Sequence, residues 1–278
     1  MVKYIAYTAA ASILIFLCIR ICVHANKTDH YQCLMFEEMK IVPQITDAVN
    51  DIFSSLMNAF SSNTEEKKDK RDKLIEAYQY HKRKTRIYSL IFIGFSTLLL
   101  LLTVLYLWKM DVDHGKLLLI RWIIFISFLS LIIGIVAPFL KIVVSKEIGN
   151  LPVVFKYNTK SIVSTIVQLS TSNIFLCLLI LLCSIVIPVV KLLLTYTSTH
   201  GKNIIIMKKS EIILKIIGKW AMTDVFVVAI LLSFLSLDGK DSTKCILDYG
   251  FYYFTAYCLF SFACMFLINN TKKEQYNY

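Results

Sequence analysis

The chain has 278 residues, of which 57% are hydrophobic and 18% charged, and its mean hydropathy is +0.64. A soluble globular domain is nearer half apolar and a quarter charged, so this composition excludes that class and indicates an integral membrane protein. The net charge of +11 does not indicate nucleic-acid binding, because no basic helix interleaved with aromatic residues stands out and basic residues commonly flank membrane helices.

The N-terminus begins with an apolar run of about twenty residues, 4–22, preceded by Lys3. Two interpretations stay open. Residues 23–25 resemble a small-x-small cleavage site, which would make the run a secretory signal. Alternatively, the run is long enough to span a bilayer and is retained as the first membrane helix. We favour the retained helix.

Residues 24–86 form the one long polar segment. Pro43 suits the first turn of a helix, and the apolar residues of 45–60 recur at helical spacing. The following charged stretch has opposite charges four residues apart, such as Glu66 and Lys70, and is compatible with a solvated helix that continues into the next membrane helix. One interpretation of this segment is a partner-docking arm. The other is a helical hairpin that packs only on itself or on the bilayer surface.

Further apolar runs follow, each of about 18–24 residues and long enough to cross a bilayer core. Spanning segments must satisfy their own backbone hydrogen bonds, so all should be α-helical. The predicted fold class is therefore an all-α integral membrane protein with about six transmembrane helices. The later runs are 87–109, 117–140, 173–196, 220–237 and 250–268.

The connection 141–172 is more than a plain loop. Leu151–Tyr157 is rich in β-branched and aromatic residues and predicts a short external strand, whereas Ser161–Leu169 has an apolar helical face. Because isolated strands are marginally stable, this segment should pack against another part on the same side of the membrane.

Basic residues in the loop 197–219 and in the tail after Ile268 place both on the cytoplasmic side. The segments 24–86, 141–172 and 238–249 are then external. One basic cluster before the second helix disagrees with this orientation, namely Lys82, Arg83, Lys84 and Arg86.

The same orientation places Cys33 and Cys245 together in an oxidising space, and a disulfide between them is a hypothesis. Other cysteines lie in apolar runs, and no C-x-x-C pair or H-x-x-x-H spacing occurs, so we expect no metal site. We expect no cofactor and no enzymatic activity either, since no phosphate-binding loop, nucleophile elbow or paired intramembrane carboxylates are present.

Two ionisable residues lie inside predicted membrane helices. Lys191 follows Pro188 by one turn in the fourth helix, and Asp224 lies about one turn into the fifth. Both are expected roughly 6–8 Å from the cytoplasmic ends of antiparallel helices, where they could form an ion pair with Thr223 or Ser184 nearby. Alternatively, Lys191 extends to the headgroups and Asp224 interacts with the helix dipole.

These motifs resemble a known family. GKWAMTDVFVVAILL is similar to the G-[RK]-W-[SA]-M-x-D-V-F-V signature of the paraquat-inducible protein A family, and SIVIPVVKLLL resembles its S-x-x-x-P-x-x-K helix. The resemblance covers about residues 117–268. The matching residues, with their supporting neighbours, are Ser184, Pro188, Lys191, Gly218, Lys219, Trp220, Met222, Thr223, Asp224 and Phe226.

The resemblance implies a four-helix module of the bacterial inner membrane that works with MCE-domain proteins to move lipids across the envelope. This chain has one such module where well-known members have two, lacks their zinc-ribbon C-x-x-C pairs, and carries residues 1–116 in addition. We therefore carry over no zinc. A second copy of the chain could replace the tandem module.

The predicted organisation is an N-terminal membrane helix or signal sequence, an external helical arm, an extra membrane helix with a short cytoplasmic loop, the four-helix module and a cytoplasmic tail. The expected function is an inner-membrane component of envelope lipid transport, with membrane lipids and an MCE-domain protein as partners. The alternative is a non-transporting scaffold or stress-response membrane protein. The five segments are 1–23, 24–86, 87–116, 117–268 and 269–278.

Overall fold

The computed structural model describes residues 2–41, 62–109, 112–148, 151–200, 210, 212–214 and 243–276. Five helices in that part of the chain are long and apolar enough to cross a membrane, which confirms a multi-pass helical membrane protein. They are Ala6–Met35, Asp72–Tyr106, Leu117–Val136, Cys177–Thr199 and Tyr249–Ile268. The predicted span 220–237 and the apolar stripe of 45–60 lie outside the described residues.

The described elements are, in chain order, α1 (Val2–Ile41), α2 (Ser62–Lys109), α3 (Val112–Val136), β1 (Leu140–Ile148), β2 (Leu151–Lys160), α4 (Ile162–Ser172), α5 (Ile174–Leu181), a π-helical turn (Leu182–Val186), α6 (Ile187–His200), β3 (Thr243–Leu247) and α7 (Tyr249–Tyr276).

The first two helices are longer than a bilayer requires. α1 continues unbroken through residues 23–25, so the small-x-small pattern lies inside a helix. α2 carries the charged stretch directly into the apolar run, as expected from the sequence. The two helices pack antiparallel, because Tyr31 contacts His81 near one end while His24 contacts Tyr88 further along.

The helix α3 is the centre of the bundle. In its most apolar stretch 61% of residues are buried, against 22% to 33% in the other four spans. One face, including Trp122 and Ile126, packs on α1 and on Phe92 of α2. The other face, including Ile123, packs on α6 and α7. α3 therefore joins the N-terminal helices to the rest of the molecule.

The sequence predicts one helix over 117–140, but the predicted C-terminal end is wrong by several residues. α3 ends at Val136 because Pro138 has no backbone N–H and disfavours helical conformation at the residue before it. The chain then turns into strand β1, and the N–H of Phe139 already donates to the carbonyl of Lys160 at 2.9 Å.

A three-stranded antiparallel sheet with strand order β2-β1-β3 follows α3. β2 confirms the strand predicted at 151–157 and extends it to Lys160. β3 comes from the connection 238–249 and pairs with β1, so the two connections expected on one side do pack together. Ser161 then caps α4, since its hydroxyl accepts from the N–H of Ser164 at 3.0 Å.

The contact between α3 and α7 requires a small residue at Gly134. A Cβ built there would lie 2.8 Å from the backbone nitrogen of Phe254, which is closer than real Cβ contacts allow. We predict that Gly134→Ala lowers the free energy of unfolding by about 1–3 kcal/mol, because backbone and not a flexible side chain would have to move. Thermal unfolding of the protein in detergent measures the effect.

The matched control is Gly94→Ala in α2, where an added Cβ meets nothing within 4 Å. This variant should be neutral or stabilise the helix by up to about 1 kcal/mol. Equal melting temperatures for the two variants would contradict the close approach of α3 and α7.

The two cysteine positions of the proposed Cys33–Cys245 disulfide lie at the same end of the molecule. Cys245 lies opposite Ile142 in the sheet, and the neighbouring Lys141 donates from Nζ to Gln32 Oε1 at 3.2 Å. Gln32 precedes Cys33 in α1, so both cysteine positions belong to the same end of the molecule. The side chain of Cys245 lies outside the described part, and the bond stays a prediction.

We predict that non-reduced protein migrates faster in gel electrophoresis than reduced protein, and that Cys33→Ser removes the difference. The control is Cys177→Ser, since Cys177 is buried beside α4 and donates to Ile166 O. This variant should keep the mobility difference. Identical migration of reduced and non-reduced wild-type protein would eliminate the disulfide.

Candidate intramembrane polar site

The span that carries Lys191 contains a break in its α-helical pattern. In the turn Leu182–Val186 the helix widens, and the N–H of Ile187 donates to the carbonyl of Leu182, five residues earlier. Pro188 follows and supplies no N–H, so the regular ladder is interrupted at this level. Single π-helical turns occur frequently at functional sites. Ser184, a predicted site residue, lies half-buried within this turn.

Lys191 faces the interior of the protein. Only 6% of it is exposed, whereas Leu193 on the other face of α6 is 59% exposed. The interpretation that Lys191 extends to the headgroups along the lipid-facing surface is therefore disfavoured. The span also continues to Thr199, which places Lys191 about 12 Å from that end, deeper than expected from the sequence.

Two buried hydroxyl residues extend the polar face of α6. Thr195 and Ser198 follow Lys191 by four and seven residues and so lie on the same side of the helix. The Thr195 hydroxyl donates to the carbonyl of Lys191 at 2.7 Å, and that of Ser198 donates to Thr195 O at 3.1 Å. These local bonds satisfy the hydroxyl groups without a partner on another helix.

The helix α7 presents a corresponding polar face. Tyr257, Ser261 and Cys264 have the same spacing of four and seven residues and are all buried. The Tyr257 hydroxyl donates to the carbonyl of Pro188 at 3.4 Å, and Cys264 lies within electrostatic range of Lys191. We call Lys191, Thr195, Ser198, Tyr257 and Ser261 together the polar seam.

The sequence singled out Lys191 and missed the rest of the polar seam. The sequence does contain a pattern that could have indicated them, namely polar residues at i, i+4 and i+7 in two apolar runs. This pattern is weak evidence, because serine and threonine in membrane helices commonly form hydrogen bonds only within their own helix. Residues of the predicted signature are outside the described part of the chain, so the Lys191–Asp224 pair stays a prediction. They are Gly218, Lys219, Trp220, Met222, Thr223, Asp224 and Phe226.

A second group of polar contacts lies between α1 and α2. The Nδ1 atoms of His24 and His81 are 2.8 Å apart, so one ring donates and the other accepts. The hydroxyl groups of Ser89 and Tyr253 are also 2.8 Å apart and link α2 to α7. The sequence did not predict these contacts, because scattered histidines and serines carry no spacing signal.

A third group joins α1 to the sheet and to the start of α7. Lys141 Nζ lies 2.8 Å from Asp248 Oδ2, and the Thr159 hydroxyl donates to Asp29 Oδ2 at 2.5 Å. The other oxygen of Asp29 is buried without a hydrogen-bond partner among the described residues. These contacts link residues that are more than 100 positions apart, and no local pattern could have indicated them.

Comparison with known proteins adds one finding. The family model described as Paraquat-inducible protein A matches residues 147–273, which include β2, α4 to α6, β3 and most of α7. α3 lies outside the match, although the resemblance in the sequence was placed over 117–268. No curated protein and no solved structure matches the chain. Over residues 147–273, a little under half of its length, this multi-pass membrane protein is similar to the paraquat-inducible protein A family.

Proposed function

We propose that this protein is an inner-membrane component of an envelope lipid-transport system that works with an MCE-domain partner. The observation that carries the proposal is Lys191, an ionisable residue buried inside a spanning helix of the family segment. A charged side chain at such a depth costs about 2.5–3.5 kcal/mol on insertion scales, so it is retained where it serves a path for polar groups or protons.

Asp224 is the counter-charge that we assign to Lys191. It lies in the signature motif, one predicted helix further along the chain. A carboxylate at the depth of Lys191 would relieve the cost of burying both charges. The hydroxyl groups of the polar seam would then give polar parts of a lipid further hydrogen-bonding positions. The proposal includes no bond-cleaving step, so the protein would be a transporter component and not an enzyme.

The proposed orientation has the basic loop 197–219 and the C-terminal tail in the cytoplasm. The sheet β2-β1-β3 and the ends of α1 and α2 nearest to it would then face the external side, where an MCE-domain partner could reach them. The external segment 24–86, called the arm below, is the candidate docking segment for that partner.

We predict that Lys191→Ala and Asp224→Asn each lower lipid exchange between the two membranes by at least about tenfold, or about 1.4 kcal/mol in activation free energy. The physical reason is loss of the polar centre while the helices stay in place. The assay follows labelled phospholipid in cells that lack the native gene, and immunoblots of membranes report the abundance of each variant.

Three further variants sharpen this test. Lys191→Met keeps most of the side-chain volume and separates loss of charge from a packing defect. Leu193→Ala changes the exposed face of α6 and should retain activity. The double variant Lys191→Asp with Asp224→Lys should recover part of the activity if the two residues pair. Normal exchange in both single variants would remove the transport proposal, and loss of function only on deletion of the arm would favour the scaffold.

A further inference from the structure

A polar cavity of about 420 Å³ opens where α1, α2, the sheet and the start of α7 meet. Its size falls within the usual range for small-molecule sites, roughly 300–1,000 Å³. Both signs of charge line it: Lys82 from α2 and Lys141 from β1, with Asp248 just before α7. The two lysines outnumber the one lining carboxylate, so the lining carries a net positive charge.

Lys141 is a partly buried cation held in a defined position. Its Nζ lies 2.8 Å from Asp248 Oδ2 and 3.2 Å from Gln32 Oε1, and the two charged side chains are only 14% and 12% exposed. An ammonium group has three N–H donors, and these contacts use two of them. The third donor can serve an anionic oxygen in the cavity.

Lys82 supplies the second cation from the exposed surface of α2. Its Nζ lies 5.3 Å from the centre of the Tyr78 ring, a cation–π distance that directs the side chain along the cavity wall. Tyr249 on the opposite wall lies within electrostatic range of both Lys82 and Arg86. A cationic group is therefore present on both the α2 wall and the sheet wall.

The depth of the cavity indicates what kind of anion it receives. The span of α7 begins at Tyr249, and the apolar run of α2 begins at residue 87, directly after the basic cluster. Tyr252 also lines the cavity and is 62% exposed, as expected for a tyrosine at the membrane–water interface. The cavity thus lies at the level of lipid headgroups.

We propose that this cavity binds the phosphate group of a phospholipid headgroup, with Lys82 and Lys141 as its cationic contacts. The inference stands beside the transport function and does not rest on it, since it uses neither Lys191 nor Asp224. It also gives a role to Lys82, one residue of the basic cluster that conflicts with the orientation deduced from the other charged segments. In this role Lys82 binds a headgroup of the external leaflet. Its charge then does not indicate which side of the membrane is cytoplasmic.

The test is binding of dioctanoyl phosphatidylglycerol to the purified full-length chain in detergent, followed by native mass spectrometry. We expect Lys82→Gln to weaken binding by about tenfold or more, because a charge-assisted contact to phosphate is lost. Lys82→Arg should retain binding, since it keeps the cation. Arg83→Gln is the matched control: it removes the same charge one residue away, outside the cavity lining, and should leave the affinity unchanged.

Two ligand controls separate the source of the phosphate. Dioctanoylglycerol lacks phosphate and should bind at least about tenfold more weakly than the phospholipid, because it cannot form the charge-assisted contact with Lys82. Glycerol 3-phosphate lacks acyl chains and should compete only weakly. Equal binding of the phosphate-free lipid, or equal losses in Lys82→Gln and Arg83→Gln, would overturn the proposal. Equal affinity for glycerol 3-phosphate would overturn the lipid assignment in favour of a soluble phosphate ester.

Discussion

The close contact between α3 and α7 is the interaction on which the rest of the structure depends. The contact is possible because Gly134 and Gly250 have no side chains. A Cβ on Gly134 would lie within 3 Å of the backbone of α7, and a Cβ on Gly250 would lie within 3 Å of the backbone just after α3. With the two helices this close, Ser127 of α3 reaches the backbone of α7, donating to Tyr257 O at 3.4 Å. A membrane interface of this type depends on van der Waals packing between small residues, because lipid supplies no hydrophobic driving force between helices.

That contact joins the N-terminal helices to the segment that matches the family model. α3 precedes the segment that matches the family model, yet one of its faces packs on α6 and α7 of that segment and the other packs on α1 and α2. The N-terminal pair reaches α7 through α3 and through the Ser89–Tyr253 hydrogen bond. The polar seam and the cavity bounded by α1, α2 and the sheet each take part of their lining from α7.

Much of this architecture follows from the sequence, and the limits have physical causes. Length and apolarity suffice for the spans, because a bilayer imposes both. The burial of Lys191 was not predictable, since a lysine near a helix end can reach the headgroups as readily as an interior partner. The end of α3 was misplaced because the apolar residues of β1 continue the run of the helix, and only Pro138 marks the change. The Lys141–Asp248 pair joins residues 107 positions apart, which local spacing does not register.

The pairing of β1 with β3 has a mechanical consequence. β1 follows α3 and β3 leads into α7, and the strand order β2-β1-β3 puts β2 and β3 at the two edges, so residues 161–242 leave the sheet at one edge and return to it at the other. Neighbouring strands are about 4.8 Å apart, so β2 and β3 lie roughly 10 Å from each other, and the two ends of this excursion cannot separate while the sheet is intact. The excursion includes α6 with Lys191. The sheet therefore fixes both ends of this segment beside the end of α3 and the start of α7, in addition to the packing of α6 on those two helices.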